Sequence, residues 1–207
     1  AKMLGTSATL AQECFVGVQN PLKPEDQDYA LSFAIPMGAK GVRTLSRRSY
    51  EQAASSAFDY PLATRFDEND ALVYFDDVKV PWDRVFIYKR PELVNALFHK
   101  TPAEAMMNLQ SQARLTVKLQ FLLGVARRVT ETTGVINFPP IQDTLGKLAA
   151  QAMAVEGAFR SLAGDPVVRN GVYVPRASRV YSATSIGQEL YPSFVQEIRG
   201  LVGGGVA

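Results

Sequence analysis

The side chains able to do chemistry are few. Cys14 is the only cysteine and His99 the only histidine in 207 residues. An intrachain disulfide, a Cys-based zinc site and a His-rich metal centre are thereby excluded, and any Ser-His-Asp or Cys-His chemistry would have to run through His99. His99 stands just before a long helical pattern, where a histidine reads as a capping or surface residue. Two carboxylate clusters, Asp67-Glu68-Asn69-Asp70 and Asp76-Asp77, carry the oxygen ligands a hard cation takes. Their position around a strand-like run reads as solvated turns instead. Gln110, Arg114 and Lys118 recur every four residues. One helix face carrying them either holds a diphosphate through charge-assisted hydrogen bonds or faces solvent. Two backbone-rich stretches remain. Gly5-Thr6-Ser7-Ala8-Thr9 combines small side chains with hydroxyls, which suits a flat ring lying against the chain and suits an ordinary turn equally. Gly203-Gly204-Gly205 permits φ > 0 and close approach to a ligand, or simply ends a helix. No G-x-G-x-x-G follows a strand and no G-x-x-x-x-G-K-[ST] exists, so dinucleotide-fold and P-loop readings lack support.

The elements that must position these residues change character near residue 90. Residues 1–90 form a β-rich unit. Cys14–Val18, Tyr29–Ile35 and Ala71–Phe75 read as strands, and Val78–Val80 and Arg84–Tyr88 continue the texture around Pro81. Tyr29, Leu31, Phe33 and Ile35 alternate with small residues, predicting one buried face. The polar, proline-broken stretch 20–28 reads as an exposed loop. Residues 91–207 form a helical unit. The span 103–133 has no proline and one glycine, and Leu109, Ala113, Val117, Phe121 and Val125 recur every four residues beside Leu115, Leu119 and Leu122. That predicts an amphipathic helix about 45 Å long, begun at Thr101-Pro102 and stopped at Gly134. A second helix fits 141–163 and a third roughly 177–200, interrupted at Pro192. The short connection 134–140 predicts antiparallel packing. The fold class is α+β: a β-rich domain followed by a helical bundle.

Composition bounds the rest. The chain is 47% hydrophobic and 20% charged, with 22 Lys plus Arg against 20 Asp plus Glu. This is ordinary globular composition, able to bury a core without staples. No block of like charge suggests nucleic acid. The longest apolar run, Leu119–Ala126, is far shorter than the roughly 20 residues of a membrane span, and the opening residues lack a signal-peptide pattern. A soluble, cytoplasmic protein with neither nucleic-acid nor membrane partner is expected.

Four stretches together resemble a known family, the oxygenase component of 4-hydroxyphenylacetate 3-monooxygenase, one of the two-component, reduced-flavin-dependent aromatic hydroxylases. They are Ala1-Lys-Met-Leu-Gly-Thr-Ser-Ala8; Gly41-Val-Arg-Thr-Leu-Ser-Arg-Arg-Ser-Tyr-Glu51; Phe58-Asp-Tyr-Pro-Leu-Ala-Thr-Arg-Phe-Asp-Glu-Asn-Asp-Ala71 running on through Phe75-Asp-Asp-Val-Lys-Val-Pro-Trp-Asp-Arg-Val-Phe86; and Gln110-Ser-Gln-Ala-Arg-Leu-Thr-Val-Lys-Leu119. The third is the most specific. The resemblance implies an acyl-CoA dehydrogenase-like fold, FAD used as FADH2, a separate NAD(P)H-dependent flavin reductase that supplies it, O2 as co-substrate, a phenol hydroxylated ortho to its oxygen to give a catechol, and a homotetramer. It implies that Thr6 touches the flavin and that the turn Val202, Gly203, Gly204, Gly205 is the C-terminal flavin loop, by backbone contacts because hydroxyls common in the family are replaced here by glycine. Gln19 and Asn20 fall where a family loop closes over the phenol. The family is about twice this length and carries its phenol-polarising Arg, Tyr and His groups largely in an N-terminal helical domain outside this sequence. The chain is therefore expected to be a fragment whose catalytic acid and base lie elsewhere.

A sister branch, 4-hydroxybutyryl-CoA dehydratase, holds an iron–sulfur cluster on cysteines and a histidine, which one cysteine cannot ligate. Two rivals differ in class. An acyl-CoA dehydrogenase-type oxidoreductase would need a carboxylate at the flavin, with Glu189 and Glu197 as candidates by helix position. A non-catalytic helical interaction module would bind no flavin.

Overall fold

The computed structural model describes residues 2–67 and 69–203. The chain divides into two compact units, 1–97 and 98–207, and each is described by itself.

The first unit holds two three-stranded antiparallel sheets. One is built from β1 (Lys2–Thr6), β5 (Asp70–Phe75) and β4 (Val42–Ser46), in the order β1-β5-β4. The other is β2 (Glu13–Val16), β3 (Leu31–Pro36) and β6 (Val85–Tyr88), in the order β2-β3-β6. Two one-turn helices, α1 (Tyr50–Ala53) and α2 (Ala63–Phe66), fill the long β4–β5 connection. The sheets meet where Phe33 of β3 packs edge-on against Phe75 of β5, with ring centroids 5.6 Å apart.

The predicted β3 alternation holds only in part. Phe33 and Ile35 are buried, but so is Ser32, because a central strand is covered on both faces. Tyr29 is 72% exposed. It ends a 3-10 turn over Pro24–Tyr29 rather than opening the strand, and Ala30 takes the buried place. Val78–Val80 lies outside any strand, and a 3-10 turn at Trp82–Arg84 precedes β6.

α3 (Pro91–Lys100) leads into the second unit, where α4 (Ala103–Thr132), α5 (Pro139–Gly164) and α6 (Ala177–Val202) form a bundle. Gly134 adopts φ +75 just past α4, where a left-handed residue ends a helix, and Pro139 and Pro140 start α5 with φ already helical. The short turn folds α5 back along α4. Leu119, Ala126, Leu148, Ala152, Val155, Phe194 and Ile198 form the main core.

The face of α4 differs from the sequence expectation. Its buried residues are Gln112, Thr116, Leu119, Ala126 and Thr130, while Val117 is 65% and Phe121 50% exposed. A strict four-residue spacing advances about 40° per step on a 3.6-residue helix, so the row from Leu109 to Val125 sweeps about 160° and cannot face one neighbour. α6 also runs unbroken through Pro192. Buried Ala183 and Gly187 before it, and Phe194 and Ile198 after it, hold both halves in the bundle. Between α5 and α6 a hairpin, β7 (Pro166–Arg169) and β8 (Val172–Pro175), turns at Asn170-Gly171, both at positive φ. That dipeptide is the signal for a type I′ turn.

Candidate functional site

Thr6 closes β1 opposite Asp70 and its side chain is exposed. The turn after it is built for its own packing. Ser7 takes φ 60, its N–H donates to Asn69 O at 3.1 Å, and the N–H groups of Leu10 and Ala11 donate to Ser7 O, each at 2.9 Å. Ala8 is buried and folds over Gly5, where a Cβ would stand 2.8 Å from Ala8 Cβ. The small-residue run therefore satisfies a tight turn and leaves the Thr6 hydroxyl presented outside it.

Next to that turn, Asp67 and Asp70 of the first carboxylate cluster are structural, which corrects their reading as solvated turn acids. Asp67 accepts from Arg47 Nη2 at 2.6 Å, Ser49 Oγ at 2.9 Å and Tyr50 N–H at 2.9 Å. The guanidinium, followed by these hydroxyl and amide donors, holds its carboxyl down at about 2, against the opposing effect of burial. The Arg47 guanidinium also lies 4.2 Å from the centroid of the Tyr50 ring, and Arg47 N–H donates to Asp70 O. Asp67, Arg47 and Asp70 thus tie the β4–β5 connection to the strand pair that carries Thr6. Asp76 forms an exposed pair with Arg43 at 2.9 Å. Among the described residues no group of His, Cys, Asp and Glu is arranged to hold a metal.

Beside the turn lies an open cleft of about 550 Å³ between the free edge of β2 and the β1–β5 pair. Gly5, Phe15, Gln19, Asn20, Val73 and Phe75 contribute to its walls. The structure thus brings Gln19 and Asn20 to the same cleft as the residue preceding Thr6. Gly17 leaves room for the Phe15 ring, since a Cβ there would stand 3.2 Å from Phe15 Cε1. The exit of the 19–20 segment is clamped by Asn95, whose Oδ1 accepts from Leu22 N–H and whose Nδ2 donates to Leu22 O, both at 2.8 Å. Sequence reading missed Asn95, because its partner is 73 residues away and no local pattern marks the pair. Cys14 also lines the cleft, and partial burial pushes its thiol up, toward the protonated form.

In the helical unit, Val202 and Gly203 border an open hollow of about 410 Å³ at the C-terminus of α6. Gly203 caps that helix at φ 69 and donates its N–H to Gly200 O. Gly204 and Gly205 lie outside the described residues. Gln110, Arg114 and Lys118 are exposed on α4. His99 pairs through Nδ1 with Glu104 at 2.9 Å, and a hydrogen bond to Glu104 raises the Tyr181 phenol above its ordinary value. Glu189 and Glu197 are exposed on α6. No helix among the described residues is long and apolar enough to cross a membrane.

A two-sheet unit followed by a long-helix bundle is an acyl-CoA dehydrogenase-like fold. A probable acyl-CoA dehydrogenase from Mycobacterium abscessus superimposes with TM-score 0.59 at 18% identity, over 96% of this chain and 48% of that one. Within this fold, residues 1–87 match the N-terminal and residues 94–207 the C-terminal domain of 4-hydroxyphenylacetate 3-hydroxylase, and the chain belongs to that family. The oxygenase component of 4-hydroxyphenylacetate 3-monooxygenase from Pseudomonas aeruginosa is 31% identical over all of this chain and 41% of its own length. The oxygenase component of 4-nitrophenol 2-monooxygenase from a Rhodococcus species is 30% identical over all of this chain and 40% of its own. A crystal structure of the former kind of oxygenase, complexed with FAD and 4-hydroxyphenylacetate, superimposes with TM-score 0.86 at 30% identity, over 99% of this chain and 43% of that one. The chain thus spans about two fifths of the length of these relatives.

Proposed function

We propose that the protein hydroxylates a phenol ortho to its oxygen, forming a catechol, as the oxygenase component of a two-component flavin monooxygenase. FADH2 would come from a separate NAD(P)H-dependent flavin reductase, and O2 would be the co-substrate. The observation that carries this reading is the family match along both units, together with the cleft that gathers Gln19 and Asn20 beside the Thr6 turn. The two relatives differ in substrate but agree in regiochemistry. Position 3 of 4-hydroxyphenylacetate and position 2 of 4-nitrophenol each adjoin the carbon bearing the hydroxyl. A para-substituted phenol is accordingly the substrate class.

The residues fit a reduced flavin and an aromatic substrate. The cleft is walled by aromatic rings and glycine backbone, with amides at one end, the mixture that ring-shaped ligands select. Thr6 would offer its hydroxyl to the flavin, and Val202, Gly203, Gly204 and Gly205 their backbone. When bound, the flavin supplies oxygen activation and transfer, while the protein supplies position and dryness. Gln19 and Asn20, held at the Asn95 clamp, orient the phenol and cover it from water. Covering matters because activated oxygen exposed to water is lost as H2O2. The titratable side chain lining the cleft is the Cys14 thiol, which partial burial pushes up, so the group that takes the phenol proton is assigned to the helical domain that family members carry ahead of the stretch matched here. Exposed Val117 and Phe121 on α4 support burial against further copies in a homotetramer, and a cytoplasmic location accords with a reductase partner using NAD(P)H.

The test is turnover by the full-length protein with a flavin reductase, NADH and a panel of para-substituted phenols. Catechol formation coupled to NADH oxidation is expected. NADH oxidation that yields only H2O2 with every phenol would overturn the reading.

A further inference from the structure

The cleft beside the Thr6 turn has an uncharged wall. Cys14, Phe15, Val73 and Phe75 contribute sulfur and hydrocarbon to it, and Gln19 and Asn20 contribute carboxamides. Among the described residues that line it, none carries an ionised side chain. The cations on the neighbouring strands are already engaged. Arg84 Nη1, just before β6, lies 2.8 Å from Glu13 Oε1 on β2, and Lys89 Nζ, just after β6, lies 2.9 Å from Asp28 Oδ1. Arg43 on β4 pairs with Asp76, and Arg47 with Asp67. The segment that leaves the cleft is acidic. Lys23 follows Asn20, and Glu25, Asp26 and Asp28 then outnumber it in the 3-10 turn.

These features disfavour an anion at the Gln19–Asn20 end. A carboxylate entering there sheds water and meets no cation in return, and an ion desolvated without an opposite charge is costly. The same physics acts on Cys14, where partial burial pushes the thiol up, away from its anionic form. A neutral amide meets the wall on better terms. Gln19 and Asn20 each offer an NH2 donor and a carbonyl acceptor, so a group that both donates and accepts is matched, whereas a carboxylate only accepts. The two amides are also held in place. The strand before them is fixed by Phe15, whose ring stacks on Phe86 with centroids 5.9 Å apart, and the chain after them by the Asn95 clamp on Leu22.

A para-substituted phenol carries its two groups at opposite ends of the ring. With the group that takes the phenol proton assigned to the helical domain ahead of the matched stretch, the para-substituent falls to the amide end of the cleft. We infer that Gln19 and Asn20 select a phenol whose para-substituent is neutral and hydrogen-bonding, a carboxamide rather than a carboxylate. This rests on the oxygenase reading and narrows its substrate class. It sets the protein apart from the superimposed crystal structure, whose ligand, 4-hydroxyphenylacetate, carries a carboxylate.

The probes are 4-hydroxyphenylacetamide and 4-hydroxyphenylacetate, which differ in charge and scarcely in shape. Their binding to the full-length protein is measured calorimetrically near neutral pH and at physiological ionic strength, with and without FAD. Their kcat/KM values follow, with a flavin reductase and NADH. The amide is expected to bind about tenfold or more tightly and to show a kcat/KM higher by a similar factor. Gln19→Arg, which brings a cation to that end, is expected to narrow the ratio about tenfold or to reverse it. Asn20→Arg serves if the first variant folds poorly. Equal or tighter binding of the carboxylate by the parent overturns the inference. So does an unchanged ratio in a folded arginine variant, or binding of neither phenol. The two readings fail separately. Catechol from both phenols with no preference for the amide sinks the selectivity and leaves the oxygenase. Tighter binding of the amide without catechol from any phenol sinks the oxygenase and leaves the selectivity of the cleft.

Discussion

Asp67 accepts from Arg47 Nη2 through Oδ1 at 2.6 Å, while its Oδ2 accepts from Ser49 Oγ at 2.9 Å. One carboxylate thereby pins the start of the β4–β5 connection to its end, and the strand that follows pairs with Thr6.

This carboxyl sits at about 2, below its unfolded value near 3.8, held there mainly by the Arg47 hydrogen bond. A depressed carboxylate adds stability above its unfolded pKa and loses it as pH falls through the folded value. Asp67→Asn should therefore be clearly less stable than the parent at pH 6, and the difference should shrink steadily between about pH 4 and 2. Urea unfolding of both proteins across that range checks it. A gap that stays constant with pH would show that the ion pair does not set it.

Gly41 and Gly134 separate backbone strain from collision. Both have positive φ, +91 and +75, but a Cβ on Gly41 would stand 2.3 Å from Asp76 O, whereas one on Gly134 meets open space. Gly134→Ala should cost about 1–2 kcal/mol from the left-handed conformation alone. Gly41→Ala must also move backbone and should cost measurably more. Paired denaturation curves give the ordering.

Phe194 and Phe121 offer the same side chain in opposite settings, fully buried and 50% exposed. Phe194→Ala should cost about 3–5 kcal/mol. Phe121→Ala should cost well under 1 kcal/mol within the bundle and instead weaken self-association of the full-length protein. Sedimentation of that variant as an unchanged tetramer would remove α4's outer face from the proposed subunit contacts.

If the proposed oxygenase reading holds, Gln19→Ala and Asn20→Ala in the full-length protein should raise KM for the phenol by about tenfold and divert turnover toward H2O2, with FAD affinity preserved. Thr6→Val should do the reverse, lowering flavin affinity with a smaller effect on phenol KM. Steady-state kinetics with catechol and peroxide measured together distinguish the two patterns.

Much of the architecture was legible in local pattern. The 103–133 span lacks proline and becomes α4, Gly134 stops it, and the apolar run 71–75 becomes β5. What failed had non-local causes. Val117 and Phe121 match an apolar stripe yet face outward, since α5 and α6 select a line of contact that rotates with the 3.6-residue turn. Tyr29 fits a strand's alternation, but the preceding 3-10 turn ends on it.

By itself, the sequence determined most element types and the chemistry that one cysteine and one histidine rule out, because propensity, periodicity and composition act over a few residues at a time, while four quoted stretches carried the family resemblance. Only the tertiary structure turned Asp67 from a surface acid into a buried anchor and set Asn95 against Leu22 across 73 positions. Those are properties of which chain segments meet, and a charge or amide acquires its partner, or goes without one, only when they do.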